Sequence, residues 1–507
     1  MANTAFRTYA RENGGRVIVL FLLFLLALYE LVTAGLPAFA IVCLLPLVVF
    51  IVISPFRRPT LCFWALIFVN YIIMWHSLPL PQGIPMSIYN EMFEIILLLL
   101  AIIDIKNSPF HRCGNIMLFA VLTWCAFCIL ELLNDTCGIG IDFAAWLSTA
   151  RSLAFQIFYA FLIFTLYIKT PQMLHKYIIV WGGLALFATF WVWKQQHLGF
   201  TPSESSWLFG RGSQTHVLQG GTLIRYFSTY GDAANFGVGI ASTAVAFIIF
   251  GITCRIKKYK IYFLLVGIGC AWAMMASGTR TAIACLMAGI MAYVFLSKSL
   301  KIAVPVTLIF ALFAFILIFT NIGQGNQQIR RMRSAFNKED ASAQTREINQ
   351  EAMKRYLDEA PWGIGMAVGY KNVPANNKYT FMATVAPDSE YVFIWIHTGI
   401  IGITVFLICT ALMIIGACWI VLFKIKSPSL RGIGAGFTCA MISQQLGGYG
   451  NQVLLQFPNC LVFYGGLTIV YVLPYLEEEW VVFEAEQLAR QEEKKRLKLE
   501  KKHASRV

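Results

Sequence analysis

The stretch Ala273-Met-Met-Ala-Ser-Gly-Thr-Arg-Thr-Ala-Ile-Ala284 sets a full charge, Arg280, inside an apolar run that extends from Ile261 to Leu296. A single helix over those 36 residues would be about 54 Å long, against roughly 30 Å of hydrocarbon in a bilayer. One pass cannot absorb that length. Basic residues flank the run on both sides, Arg255, Lys257, Lys258 and Lys260 before it, Lys298 and Lys301 after it. Two passes joined by a hairpin are therefore predicted, with Ser277-Gly-Thr-Arg280 as the turn. Segments near helix ends that collect Lys and Arg face the cytoplasm, so the turn, and Arg280 with it, is placed at the outer membrane boundary.

The rest of the chain has the same character. Of 507 residues, 58% are hydrophobic and 13% charged, a composition that excludes an ordinary soluble domain. Apolar runs of spanning length recur near 17–33, 37–54, 60–77, 88–104, 115–133, 148–168, 175–193, 235–254, 261–277, 281–297, 302–320, 400–423, 433–449 and 459–476. These runs predict an all-α polytopic membrane protein of about fourteen transmembrane helices. They are too long for the strands of an outer-membrane barrel, and helices satisfy their own backbone in lipid. The first run passes through Tyr29 and Glu30 without a small-x-small cleavage site and reads as a retained anchor.

Lys and Arg positions give one consistent topology, with both termini cytoplasmic. Inner segments hold Arg7, Arg11 and Arg16, Arg57 and Arg58, Lys106 and Arg112, Lys169 and Lys176, Lys424, Lys426 and Arg431, and the tail from Arg490. Outer segments near 34–36, 78–87, 134–147 and 450–458 carry none. The predicted organisation is N-terminal helices over 1–193, a periplasmic loop over 194–234, helices with the arginine hairpin over 235–320, a periplasmic lid over 321–399 between the eleventh and twelfth helices, C-terminal helices over 400–476, and a basic cytoplasmic tail over 477–507. In the lid, Ala341 to Ala360 reads as an amphipathic helix with Arg346, Gln350, Met353 and Leu357 on one stripe, ended by Pro361. The run from Tyr391 to Phe423 is long for one pass, so Tyr391 to Gly399 is placed at the outer interface as an extension of the lid. From Glu484 onward the tail reads as a mixed-charge helix facing solvent or lipid headgroups.

Arg225, in Leu223-Ile-Arg-Tyr-Phe-Ser-Thr-Tyr-Gly-Asp-Ala-Ala-Asn-Phe236, falls on the same outer side as Arg280 and Arg346. Guanidinium groups bind phosphate oxygens bidentately and keep their charge in a partly dry site, which suits a lipid pyrophosphate. A second constellation is Pro361-Trp-Gly-Ile-Gly-Met-Ala-Val-Gly369, with Gly363 and Gly365 permitting close backbone approach to a ligand, followed by Ala386-Pro-Asp-Ser-Glu-Tyr-Val-Phe-Ile-Trp-Ile-His-Thr-Gly-Ile-Ile-Gly402. There Asp388 and Glu390 could take a proton from a sugar hydroxyl; Asp388 could equally cap the helix that follows. Glu91 and Glu94 face Arg151 across two passes and read as a packing ion pair, with a cavity role second. His216 reads as an exposed loop histidine. Cys125 and Cys128 lie mid-helix and read as packing.

On R-Y-F-S-T-Y-G-D-A-A-N-F, S-G-T-R-T-A, T-R-E-I-N-Q followed by P-W-G-I-G, and D-S-E-Y-V with H-T-G-I-I-G, the chain resembles the O-antigen ligase and polymerase family of bacterial envelope proteins, which have a GT-C-like helical fold. The resemblance covers 223–406 in motif detail. It implies an enzyme of the bacterial inner membrane that moves a glycan from an undecaprenyl pyrophosphate carrier to a lipid or glycan acceptor at the periplasmic face, without metal or cofactor and without nucleic acid. Arg225 and Arg280 would then engage the pyrophosphate, with Arg346 on the lid. Many members have histidine then asparagine where this chain has Asp388 and Ser389, and glutamate where it has His397. The base is thus open among Asp388, Glu390 and His397. Ligase and polymerase are both compatible with these residues. A flippase would place charge along a midplane path and show repeated halves; here the charges sit outside, in unequal loops.

Overall fold

The apolar runs become helices because lipid leaves the backbone no partner but itself. In a computed structural model, the described residues are 22, 58–78, 87–218, 221, 223–298, 300–320, 322, 324–325, 329–330, 333, 341–368, 373–384, 387 and 389–504. The runs predicted near 17–33 and 37–54 lie outside them, apart from Leu22, as do Asp388 and the side chain of Arg346. Two compact units divide the chain, Met1–Leu66 and Ile67–Val507. Of the first, Leu22 and the start of one helix are described; the rest of the account concerns the second.

Helices occupy every predicted pass within the described residues: α1 (Pro59–Ile72), α2 (Ser87–Ile103), α3 (Ile116–Leu130), α4 (Phe143–Ala150) continued through a π-turn into α5 (Gln156–Tyr167), and α6 (Pro171–His197). A short helix, α7 (Pro202–Phe209), comes next. Then follow α8 (Ala233–Thr253), α9 (Lys257–Ala276), α10 (Arg280–Leu296) and α11 (Leu300–Phe319). The helix expected in the lid is α12 (Ala341–Leu357), and the last three are α13 (Glu390–Trp419), α14 (Pro428–Gly450) and α15 (Asn459–Ala504). Among the described residues, seven stretches of helix are long and apolar enough to cross a membrane, and two shorter apolar helices, α1 and α10, accompany them. The only strands among the described residues are two-residue pieces, Val217–Leu218 paired antiparallel with Leu223–Ile224.

Burial separates centre from rim. The apolar windows of α8 and α15 are 83% and 89% buried, whereas that of α9 is 39% buried. Accordingly α8 packs on α9, α10 and α14, and α14 packs on α10 and α15. The exposed side of α9 carries Ile261, Leu265, Ile268 and Trp272, as a lipid-facing surface does. The tail is helical as read from the sequence: α15 runs from the last pass to Ala504, 46 residues. Its polar half has Glu486–Arg490 and Arg496–Glu500 pairs one turn apart, which let the helix continue into water.

Met353 and Leu357 of α12 pack in a core with Cys137, Ile364, Tyr379, Met382, Val392 and Ile396, so these two members of the predicted stripe are buried, while Gln350 is half-buried. In α13 the helix is broken at Gly399, whose φ of 63° and ψ of −167° are open to glycine. The segment before it is thus separate from the long apolar segment after it, in agreement with the expected division at that residue.

Candidate functional site

The predicted hairpin turn exists, and local chemistry builds it. After α9 ends, Gly278 takes a φ of 57°, Ser277 Oγ donates to the Met274 carbonyl at 2.7 Å and accepts from Thr279 N at 3.1 Å. Thr279 is the extended residue before α10, and Arg280 is the first residue of that helix. Gly237 of α8 lets the turn approach: a Cβ there would collide with Ser277 Oγ. Thr279 Oγ1, buried, donates to the Ala233 carbonyl at 2.9 Å. Arg280 is half-buried at a helix N-terminus, where the helix dipole disfavours a cation by roughly 0.3–1 kcal/mol. The same dipole and the same guanidinium both favour an anion.

Arg225 arrives at this turn from the segment between α6 and α8. Its Nε donates to the Ser277 carbonyl at 3.3 Å, its Nη1 to the Thr215 carbonyl at 3.0 Å and its Nη2 to Thr279 Oγ1 at 3.0 Å. The backbone is docked as well, with Arg225 N donating to the His216 carbonyl at 2.9 Å and Tyr226 N to the Ala276 carbonyl at 3.3 Å. In the same motif Asp232 caps α8, accepting from Ala234 N and Asn235 N at 2.7 and 2.8 Å. Burial raises its carboxyl, against those donors and the Arg225 charge.

His216 is not exposed, contrary to the sequence expectation. It is 3% exposed, and its Nε2 accepts from Ala233 N at 3.0 Å. Burial, with the Arg225 charge beside it, pushes its imidazole down to about 4. Sequence placed it in a polar loop, where a partner 17 residues away is invisible. Around it, His76 stacks on Trp207 at 3.9 Å and bonds the Gly231 carbonyl. Beneath the same loop, Glu204 accepts from Trp191 Nε1 at 2.7 Å and Gln195 Nε2 at 3.0 Å and closes a capping box with Thr201. Burial works against charge on Glu204, but the donors outweigh it and hold the carboxyl below its ordinary range.

The loop after α14, for which the sequence reading held no role, joins the two constellations. Asn451 Nδ2 donates to Thr281 Oγ1, one residue from Arg280, at 3.1 Å. Leu454 N donates to Glu390 Oε2 at 2.9 Å. Asn235 Nδ2 reaches the Phe457 carbonyl at 2.8 Å, and Asn459 Nδ2 the Asn235 carbonyl at 3.1 Å. The cap of α13 is Ser389: its Oγ accepts from Tyr391 N at 3.2 Å and donates to the Gly448 carbonyl at 3.0 Å. Glu390 is buried, and Tyr391 bonds Gln445 through its hydroxyl. The signal that could have located this loop is its density of asparagine and glutamine between two apolar passes, with no Lys or Arg.

The glycine motif and the break in α13 dock on each other. Ile364 N donates to the Ile396 carbonyl at 2.9 Å, Gly365 N to the His397 carbonyl at 3.1 Å, and Ile401 N to the Pro361 carbonyl at 3.2 Å. The space beside Gly363 is filled by Gly399 and His397 backbone, and that beside Gly365 by the Asn134 carbonyl. Their close approach is to the protein's own chain. His397 is buried, with Nδ1 bonded to the Phe393 carbonyl at 2.8 Å. Arg346 lies on α12, in the helix expected of it. Away from these elements, Arg151 Nε meets Glu91 Oε1 at 3.1 Å, with Gln156 and Ser87 completing the network, which is the packing pair expected. Cys125 and Cys128 are buried free thiols. Among the described residues no three His, Cys, Asp or Glu side chains are grouped to hold a metal ion.

Residues 263–407 match the family model described as O-Antigen ligase. That span contains the hairpin turn with Arg280, the lid helix, the glycine motif and the break at Gly399; Arg225 lies upstream of it. The match supports the O-antigen ligase family for this chain. No curated protein matches the chain at a significant level.

Proposed function

With residues 263–407 matching the O-antigen ligase family, we propose that this membrane protein is a glycan transferase of the ligase type. It moves a glycan from undecaprenyl pyrophosphate to an acceptor, a lipid A core or similar anchor, at the periplasmic face of the bacterial inner membrane. The observation that carries this reading is the Arg225 guanidinium bonded to the very turn from which Arg280 starts its helix. Two residues 55 positions apart in sequence are brought to one anion-favouring helix end.

In the proposed reaction the acceptor hydroxyl oxygen attacks the anomeric carbon on the face opposite the pyrophosphate. The carbon–oxygen bond to the carrier breaks, its electron pair leaves on the pyrophosphate, and the configuration at the anomeric carbon inverts. Arg225 and Arg280 stabilise the charge that grows there, and preorganised charge of this kind is commonly the largest catalytic contribution. The acceptor proton passes to a carboxylate, assigned to Asp388. Two observations favour Asp388 over its neighbours: Glu390 Oε2 is already engaged by Leu454 N, and His397 Nδ1 by its own helix. Ser389 stands at the N-cap of α13. Arg346 is assigned to hold the donor from the lid helix. No metal is assigned a step.

The test is transfer in liposomes by the purified protein, with undecaprenyl-pyrophosphate-linked glycan as donor and lipid A core as acceptor. Glycan appearing on the lipid A core supports the ligase reading. Glycan growing in length on the carrier instead would make the protein a polymerase of the same family, and relocation of intact donor across the bilayer without transfer would make it a flippase.

A further inference from the structure

We propose that Thr279 is a positioning residue for this site: its hydroxyl ties Arg225 to the N-terminal turn of α8 and thereby sets the spacing between the guanidinium groups of Arg225 and Arg280. The inference rests on the pyrophosphate reading of those arginines and adds to it what holds them in place.

A hydroxyl has one proton and two lone pairs, so it can donate once and still accept. Thr279 uses both capacities. Oγ1 donates to the Ala233 carbonyl at 2.9 Å and accepts from Arg225 Nη2 at 3.0 Å. Ala233 is itself fixed from the other side, because its N–H donates to His216 Nε2 at 3.0 Å, and the His216 carbonyl in turn accepts Arg225 N at 2.9 Å. The result is a closed ring of contacts, Arg225 to Thr279 to Ala233 to His216 and back to Arg225. Thr279 is 3% exposed, so no water can take over its hydroxyl without a rearrangement. The residue that fixes Arg225 is also the one that precedes Arg280, and its backbone N is held by Ser277 Oγ at 3.1 Å. A long arginine side chain gains rotamer entropy by leaving a fixed position. Holding Arg225 by charge-assisted bonds to a rigid turn counters that tendency. The methyl group of threonine does not take part in this arrangement; the hydroxyl does, which separates a positioning role from simple space filling.

The experiment uses the full-length protein in lipid nanodiscs with undecaprenyl pyrophosphate as the probe, measuring Kd, and the liposome transfer assay for kcat and KM. Thr279→Val keeps the shape and removes the hydroxyl; Thr279→Ser keeps the hydroxyl. Loss of a hydrogen bond to a charged group predicts about 10-fold weaker binding for Thr279→Val and a comparable fall in kcat/KM, with Thr279→Ser within about 2-fold of the wild type. Because the effect is exerted through Arg225, adding Thr279→Val to Arg225→Gln should weaken binding by less than about 2-fold further. Three results overturn the inference: wild-type Kd in Thr279→Val, equal defects in Thr279→Val and Thr279→Ser, or a full additive loss in the double variant. If Thr279→Val gives no folded protein, Thr279→Cys, of similar size and weaker hydrogen bonding, carries the same comparison. Failure of the underlying reading looks different: Arg225→Gln then binds the probe as the wild type does, or the wild type does not bind it at all, and the positioning role falls with it.

Discussion

Arg225 Nη2 donates to Thr279 Oγ1 at 3.0 Å, so an arginine from the segment between α6 and α8 is bolted to the turn that launches α10 and Arg280. This contact turns two separate motifs into one site. It also brings a second arginine to a helix N-terminus, an arrangement that favours an anion there.

Arg280 should therefore be needed for chemistry more than for folding. Arg280→Ala is expected to lower transfer by about 100- to 1000-fold, the range seen on removing one preorganised charge donor at a developing anion. Arg280→Lys should remain strongly impaired, because an ammonium does not reproduce the planar fork. The measurement is transfer in membranes with protein level and detergent-solution Tm checked in parallel. Full transfer by Arg280→Ala at normal protein level would sink the proposed role.

The segment around His216 should loosen in acid. An unfolded histidine takes up its proton near pH 6.5, whereas folded His216 does so only at about 4. Between those values the unfolded state binds more protons, so the contribution of His216 is fully present above about pH 6.5 and is lost as the pH falls toward 4, up to about 3 kcal/mol. His76, also lowered by burial, acts with the same sign. Amide exchange at Ala233, whose N–H His216 accepts, should accelerate over this interval beyond the ordinary pH dependence of exchange. His216→Gln should flatten that acceleration; an unchanged profile in the variant would remove His216 as its cause.

The break at Gly399 should tolerate no side chain. Its φ lies in the left-handed region, and an added Cβ would run into the Pro361 carbonyl. Gly399→Ala is expected to cost about 1–3 kcal/mol and to separate the glycine motif from α13. Thermal unfolding in detergent reads the first effect. Proteolysis of the segment between α12 and α13 reads the second, with faster cleavage expected.

Removing one partner of the ion pair between α2 and the π-turn before α5 should destabilise more than removing both. Arg151→Ala leaves Glu91 facing the interior without its cation, at about 3 kcal/mol, the lower end of the range because Arg151 keeps some exposure. Arg151→Leu combined with Glu91→Leu should recover much of that loss. A double-mutant cycle on Tm checks this; simple additivity would show that the pair is not coupled.

Much of this architecture is legible in the order of residues. Helix positions follow from the length of apolar runs, and the hairpin at Ser277 to Arg280 follows from a run too long for one pass with basic residues at both ends. The amphipathic stripe of α12 and the division of α13 at Gly399 are local patterns, readable from periodicity and from one glycine. What sequence left open is whatever depends on contacts between distant segments. His216 looked exposed because its bond to Ala233 crosses a loop. Gly363 and Gly365 read as room for a ligand, yet that space is occupied by the backbone of Ile396, His397 and Gly399 and by Asn134. Asp388 was the residue read as a possible cap of the following helix; Ser389 stands at the N-cap position and also reaches the Gly448 carbonyl. The loop at Asn451 to Asn459 carried no motif, although it ties Thr281, Asn235 and Glu390 together.

The sequence by itself determined that this chain is helical, membrane-embedded and marked by three arginines on one predicted side, because hydrocarbon thickness, backbone satisfaction and charge asymmetry act on short stretches independently of one another. Only the tertiary structure decided that Arg225 rests on the turn before Arg280, and that the loop after α14 joins this turn to the start of α13. Hydrogen bonds between segments tens or hundreds of residues apart depend on the packing of every helix between them, and no local pattern encodes that packing.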